Sequence, residues 1–371
     1  MKIYFWQDFV SPHIAYLIDR IASKGIEVNL VVDKVITKDR KQLGWEKFKL
    51  YFAKIIFFKN IKNKFSEKFF LKDTINICQG LIFNGFIQVV QNYLRKENLN
   101  HWVIMEKIND QGLKGILRKL LYNFLFILWK RKIDGILAIG TGAVGWYSER
   151  GFDNKKIFSF AYFLNESILK TKSNSINNQK FKFIFVGQAI KRKNIDILIE
   201  ALSLLKEKEK EKFELEIIGN GPLKKDLFSK CNQKLPKKVK WINKISINHV
   251  PKKIANADCL VLPSYFDGWG AVVSESLMVG TPVICSDKCG SSTIVKASKF
   301  GYTFKSNDVN DLHLKLKKII TKGKISKKKR ELIKKWANCL SSKSGAEYLI
   351  KILSFKTNGG KRPLPPWEIK K

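Results

Sequence analysis

The sequence predicts an α/β protein of two parallel-sheet domains, on three observations. The chain opens as strand, helix, strand: residues 2–6 (KIYFW) are apolar and β-prone, Ile14, Leu17, Ile18 and Ile21 share one helical face, and residues 27–32 return as a strand. The alternation restarts after a polar stretch, with strands at 181–186, 213–218, 239–242, 258–262 and 283–285 and helical patterns between them. At 371 residues the chain exceeds one ordinary core and suits two. Strands alternating with helices pack as parallel sheets. The expected architecture is therefore two Rossmann-like domains facing across a cleft: residues 1–168, a linker at 169–180 without apolar period, and residues 181–335. Residues 336–355 pattern as terminal helices returning to the first domain. Residues 356–371, with three prolines and two glycines, read as a loosely ordered tail.

Apolar content of 45% and charged content of 27% describe a globular protein. The formal charge of +38 points to anionic partners: a membrane surface, nucleic acid or phosphorylated substrates. Lysines spread over solvated faces would give the same sum. Six cysteines are scattered, and the Cys285, Cys289 pair has no second pair beside it, so no metal site is expected and free thiols in a reducing compartment are. The N-terminus begins directly as a strand, with no signal-peptide pattern. The longest strongly apolar stretch, residues 120–129, has ten residues, whereas a membrane span needs roughly 20.

In the first half, Ser11 and Pro12 make a helix start, N-cap then first-turn proline. His13 falls in that first turn, at the sheet edge where ligands bind; it is either a capping or surface histidine or a polar group on the acceptor side. Residues 41–72 interleave lysine with Trp45, Phe48, Tyr51, Phe52, Phe57, Phe58, Phe65, Phe69 and Phe70, and residues 113–132 carry cations on both sides of an apolar run. Both read as basic, apolar helices. They suit the plane of an anionic bilayer, and equally ordinary helices with lysines outward. Strands follow around Ile77 and at 102–105 and 133–139, the second ending at Glu106, a capping acid or a site acid.

In the second half, Gly187-Gln-Ala-Ile-Lys191-Arg192-Lys193-Asn194 links a strand to a helix, and Gly219-Asn-Gly221-Pro222 follows the next strand. The central stretch is Pro263-Ser-Tyr-Phe-Asp267-Gly268-Trp269-Gly270-Ala271, with Glu275 eight positions after Asp267 and Gly280-Thr-Pro282 closing the helix. A strand, a glycine loop and a fresh helix N-terminus make an anion site. Acids at both points suit sugar or ribose hydroxyls beside phosphates. A turn acid and a solvated helix position would share the spacing.

This stretch resembles the signature of the family 4 retaining glycosyltransferases: Pro-Ser, an acid, Gly-aromatic-Gly, seven residues between acids, then Gly-x-Pro-Val-Ile. The first acid is usually Glu and here is Asp267, one methylene shorter. The 187–194 loop is similar to the family's Gly-Arg-x(4-5)-Lys-Gly, with Lys193 on the lysine, Gln188 where arginine is usual and Asn194 where glycine is. Arg192 or Lys191 stands in for the missing cation. Residues 290–293 match a further family loop near the donor sugar.

The resemblance is good over residues 183–301 and thin over the first 160. It implies the GT-B fold and a retaining hexosyltransferase. Its donor would be a UDP- or GDP-sugar, with no other cofactor. Lys193 and Arg192 would hold the pyrophosphate and Glu275 the ribose. Asp267 would hold the sugar, and Gly187, Gly219, Gly221, Gly268, Trp269, Gly270 and Ala271 would line the donor site. Glu106 and His13 would serve the acceptor, since some such transferases carry an acid at the position of Glu106. The basic, aromatic first domain suggests a lipid-linked glycan acceptor at the cytoplasmic face of an anionic membrane, as in bacterial O-antigen, capsule or exopolysaccharide assembly. A nucleotide-sugar epimerase or phosphorylase shares the fold. A nucleic-acid-binding protein would explain the charge, but no nucleic-acid motif is visible.

Overall fold

The computed structural model describes residues 1–42, 44–63, 74–173 and 180–369. Its first unit comprises Met1–Lys38, Lys47–Asn165 and Ser341–Lys371. The opening alternation forms β1 (Lys2–Phe9), the helix Pro12–Ala22 and β2 (Glu27–Lys34). Ser11 is extended and its hydroxyl accepts the His13 amide at 3.3 Å, so the helix starts where the Ser-Pro pair predicts. Ile14, Leu17, Ile18 and Ile21 are buried. β3 (Lys54–Phe57), β4 (Thr74–Gln79), β5 (His101–Glu106), β6 (Gly135–Ile139) and β7 (Ile157–Phe160) complete a parallel sheet in the order β3-β2-β1-β4-β5-β6-β7. Ile3 pairs with Val28 on one side and Ile75 on the other. These strands are near-continuous apolar runs because helices cover both faces.

Two expectations are corrected here. Over its described residues the basic-aromatic stretch 41–72 is not one amphipathic helix: the short helix Lys38–Gln42 ends at its start, and Lys54–Phe57 joins the sheet edge beside β2. The Asp19 carboxylate accepts the amides of Tyr51, Phe52 and Ala53 at 2.7–3.1 Å, holding the bend that leads into the strand. Phe65, Phe69 and Phe70 lie outside the described residues. The tail is not loose over its described part: Trp367 is 5% exposed, and the Arg362 guanidinium lies over Phe158 and donates to the Asn154 carbonyl at 2.9 Å. The helix Ser342–Asn358 packs against Pro12–Ala22.

The second unit comprises Asp39–Glu46 and Glu166–Leu340. Its six parallel strands are β8 (Phe181–Val186), β9 (Phe213–Ile218), β10 (Val239–Ile242), β11 (Cys259–Leu262), β12 (Val283–Ser286) and β13 (Gly301–Phe304), in the order β10-β9-β8-β11-β12-β13. β13 escaped the sequence reading because it begins with glycine and fully buries only Phe304. Asp39–Glu46 also belongs here unexpectedly. The Glu46 carboxylate accepts from Ser246 Oγ at 2.6 Å and Asn248 Nδ2 at 2.9 Å. A side-chain graft of this kind has no signature in hydrophobic periodicity.

Candidate active site

In the second sheet the strand order reverses between β8 and β11, and the crevice outside such a switch point is where α/β sheets bind ligands. The loops leaving these two strands are residues 187–194 and 263–270. They are tied together: the Tyr265 amide donates to the Arg192 carbonyl at 2.9 Å, and the Arg192 guanidinium donates to the Phe266 carbonyl at 3.1 Å. Residues 219–222 pack beneath, with the Ala189 amide on the Asn220 carbonyl at 3.0 Å. A Cβ on Gly219, where φ is +149°, would stand 1.8 Å from the Gly187 carbonyl oxygen, and one on Gly221 2.5 Å from that of Ala189. These glycines let backbone meet backbone. Asn194 takes φ +51°, a left-handed conformation that asparagine tolerates, so it can stand where glycine is usual.

Asp267 is the hub. Lys193 Nζ and Arg192 pair with its two carboxylate oxygens, the latter at 3.3 Å, and Ser264 Oγ donates to it at 3.4 Å. Burial pushes this carboxyl up, and the two cations outweigh it and hold it below the usual range. Its backbone is braced by residues 288–291: the Gly290 amide donates to the Asp267 carbonyl at 2.8 Å, and the Asp267 amide to that of Lys288 at 3.2 Å. Gly270, at φ +83°, caps the helix Ala271–Met278, whose first residue is Ala271. Gly268 is buried in the same turn. Glu275 is buried one turn into the helix, and burial alone pushes its carboxyl up to about 7. Among the described residues none hydrogen-bonds that carboxyl. A buried acid with a perturbed proton affinity and no partner among the described residues is a candidate binding-site group.

Trp269 departs from expectation. Its ring is 1% exposed and Nε1 donates to Ser274 Oγ at 3.1 Å, so the indole is core and only its backbone faces the loop. Lys191 is exposed, and Arg192 is the residue that joins Lys193 at Asp267. Among the described residues no group of three or more His, Cys, Asp or Glu could hold a metal, and Cys285 and Cys289 are buried free thiols.

In the first unit, His13 follows β1 and Glu106 ends β5, both at the C-terminal edge. Tyr162, two residues beyond β7, joins them. Its hydroxyl donates to Glu106 Oε1 at 2.8 Å, and its ring stacks on His13 with centroids 5.3 Å apart. The Tyr147 hydroxyl donates to the Glu106 carbonyl at 2.6 Å. Sequence reasoning missed Tyr162; the available signal was its place just past the return strand, at the edge where the other two residues were expected.

The solved structure of Anabaena HepE in complex with UDP matches with a TM-score of 0.70, at 13% identity over 95% of this chain and 100% of that one. The fold is thus two Rossmann-like domains of GT-B type. An uncharacterized glycosyltransferase of Methanocaldococcus jannaschii is 30% identical over 132 residues, 35% of this chain and 33% of that protein. The Escherichia coli UDP-Gal:alpha-D-GlcNAc-diphosphoundecaprenol alpha-1,3-galactosyltransferase is 27% identical over 152 residues, 41% of this chain and 39% of that protein. The chain therefore spans well under half the length of these curated relatives. Residues 167–337, the stretch that builds the cluster around Asp267 and Glu275, match the model of the family Glycosyl transferases group 1.

Proposed function

We propose that the chain is a retaining glycosyltransferase that moves a sugar from a nucleotide-sugar donor to a hydroxyl of a lipid-linked glycan, in bacterial surface-polysaccharide assembly. The observation that carries this reading is the cluster at the β8–β11 switch point, with two cations on Asp267 and a partnerless buried carboxyl at Glu275. Departure of a nucleoside diphosphate needs positive charge on its leaving oxygens, and Lys193 and Arg192 supply it from a preformed position. Without donor, Asp267 pairs with both. With donor, the diphosphate shares the cations and Asp267 turns to the sugar hydroxyls. Glu275 accepts from the ribose hydroxyls, which restore the hydrogen bonds that its burial removed. Glu106 and His13 serve the acceptor hydroxyl. The UDP complex of HepE and the undecaprenol-linked substrate named for the Escherichia coli relative support UDP as the first base to test and a lipid-linked acceptor.

The test is thermal melting with UDP, GDP, ADP and their sugar conjugates, beside Glu275→Gln. A rise of several degrees with one nucleotide, absent in the variant, is expected. No rise with any of them rejects the donor site. Donor turnover without a separate acceptor would favour an epimerase or phosphorylase.

A further inference from the structure

The helix Gly112–Trp129 is apolar on two opposite faces. Gly115, Tyr122, Leu125 and Phe126 are its buried side, packed with Trp146 and Tyr147 in the core of the first unit. At 100° per residue, Leu113, Leu117, Leu120, Phe124, Ile127 and Leu128 fall on the opposite side, over an arc of roughly 100°. All six are exposed, Leu113 to 83% and Ile127 to 69%. A water-facing helix side is ordinarily charged or polar. Here the outward arc has no acid or amide on it, and the helix contains no Asp or Glu at all. Exposed cations border the arc instead: Lys114 near its start, Lys130 and Arg131 just after its end.

We infer that this outward face lies in the interfacial plane of an anionic lipid bilayer, with its leucines and Phe124 among the acyl chains and the bordering cations on lipid phosphates. The charges decide the occupant. A second copy docked face to face would set these lysines and arginines against their own kind, in a chain whose formal charge is already +38. A lipid surface of opposite sign satisfies both the apolar arc and its cationic border. The helix, 18 residues or about 27 Å long, lies along the surface; no helix among the described residues is long and apolar enough to cross it. Its N-terminus follows Glu106 after residues 107–111, a loop held by the Trp146 indole on Asp110 at 3.0 Å and by Arg118 on the Asn109 carbonyl at 2.9 Å. Docking therefore brings the acceptor-side edge to the lipid. The inference deepens the proposed function by naming the surface that meets the acceptor's carrier, but the binding it predicts needs no donor chemistry.

The test is cosedimentation of the full chain with vesicles of phosphatidylglycerol and phosphatidylcholine, and of phosphatidylcholine alone. Wild type binds the anionic vesicles only. Leu117→Glu with Phe124→Glu weakens that binding by about tenfold or more, with unchanged melting and unchanged response to UDP. If that double variant does not fold, Leu113→Glu, at the most exposed position, is read instead. Undiminished binding in the folded variants overturns the inference, as does a wild-type dimer that the same substitutions dissociate. Loss of vesicle binding with the UDP response kept supports the surface independently of the donor site. Vesicle binding without any nucleotide response leaves the surface standing and rejects the transferase reading.

Discussion

Glu275 keeps its proton to about 7 because its carboxyl is buried and meets no compensating donor among the described residues. The unfolded chain would release it near the ordinary 4.5. Between these values the folded state holds more protons than the unfolded one, so stability falls as pH rises through the window and is flat above it. Ionised Glu275 thus costs on the order of 3 kcal/mol at pH 8. Glu275→Gln should gain about 1–3 kcal/mol at pH 8 and little near pH 4, measured by urea unfolding at both, while losing the nucleotide-induced melting shift. Equal stability of variant and wild type at both pH values would sink this account. On the proposed acceptor side, Tyr162→Phe removes the hydroxyl that holds Glu106, a bond to a carboxylate that contributes about 1.5–3 kcal/mol. Sugar incorporation into lipid extract should fall about tenfold, with the nucleotide-induced melting shift intact; an unaltered rate would show that Tyr162 positions nothing. Asp267, Lys193 and Glu275 were legible because they lie in short stretches with fixed spacing. Tyr162 was not, because its partner is 56 positions away. The place of the Trp269 ring was not legible, because an aromatic between two glycines looks the same in sequence whether its ring faces a ligand or the core.

At the scale of elements, close backbone approaches define the loops of the proposed donor site. Gly219→Ala forces a methyl group into the Gly187 carbonyl at a φ that side chains rarely adopt. It should cost more than about 1 kcal/mol and abolish the nucleotide response. Gly145→Ala is the contrast. Gly145 sits within the helix Ala143–Ser148 with nothing within 4 Å of the new methyl group, so it should stabilise by about 0.5–1 kcal/mol. Melting of both variants, with and without UDP, checks the pair, and similar effects at the two positions would contradict the packing argument. Most strands were legible from apolar runs, β1, β8, β9 and β10 to within three residues. The failures have a common physical source. β3 sits in a lysine- and aromatic-rich stretch that mimics an amphipathic helix, and its register comes from pairing with β2. The tail holds itself by Trp367 and Arg362, two contacts that composition averages away.

Over the whole molecule, 70 lysines and arginines face 32 aspartates and glutamates. Even if every acid were paired, 38 cations would remain, and their mutual repulsion weakens the compact state. Some acids are shared, as where Lys230 and Lys234 both reach Glu200 at 2.5 Å, but that pairing is local and partly exposed. Raising sodium chloride from about 0.1 M to about 1 M shortens the screening length from about 10 Å to about 3 Å. The long-range repulsion should fade more than the contact pairs, so the melting temperature should rise. Binding to phosphatidylglycerol vesicles depends on the same cations with the opposite sign, and should weaken over that range. One charge surplus thus predicts two salt responses of opposite direction. A melting temperature that falls with salt would mean that the surface pairs, rather than the surplus, govern stability. Vesicle binding that persists at high salt would mean that the apolar arc of Gly112–Trp129 holds the bilayer without help from its cationic border.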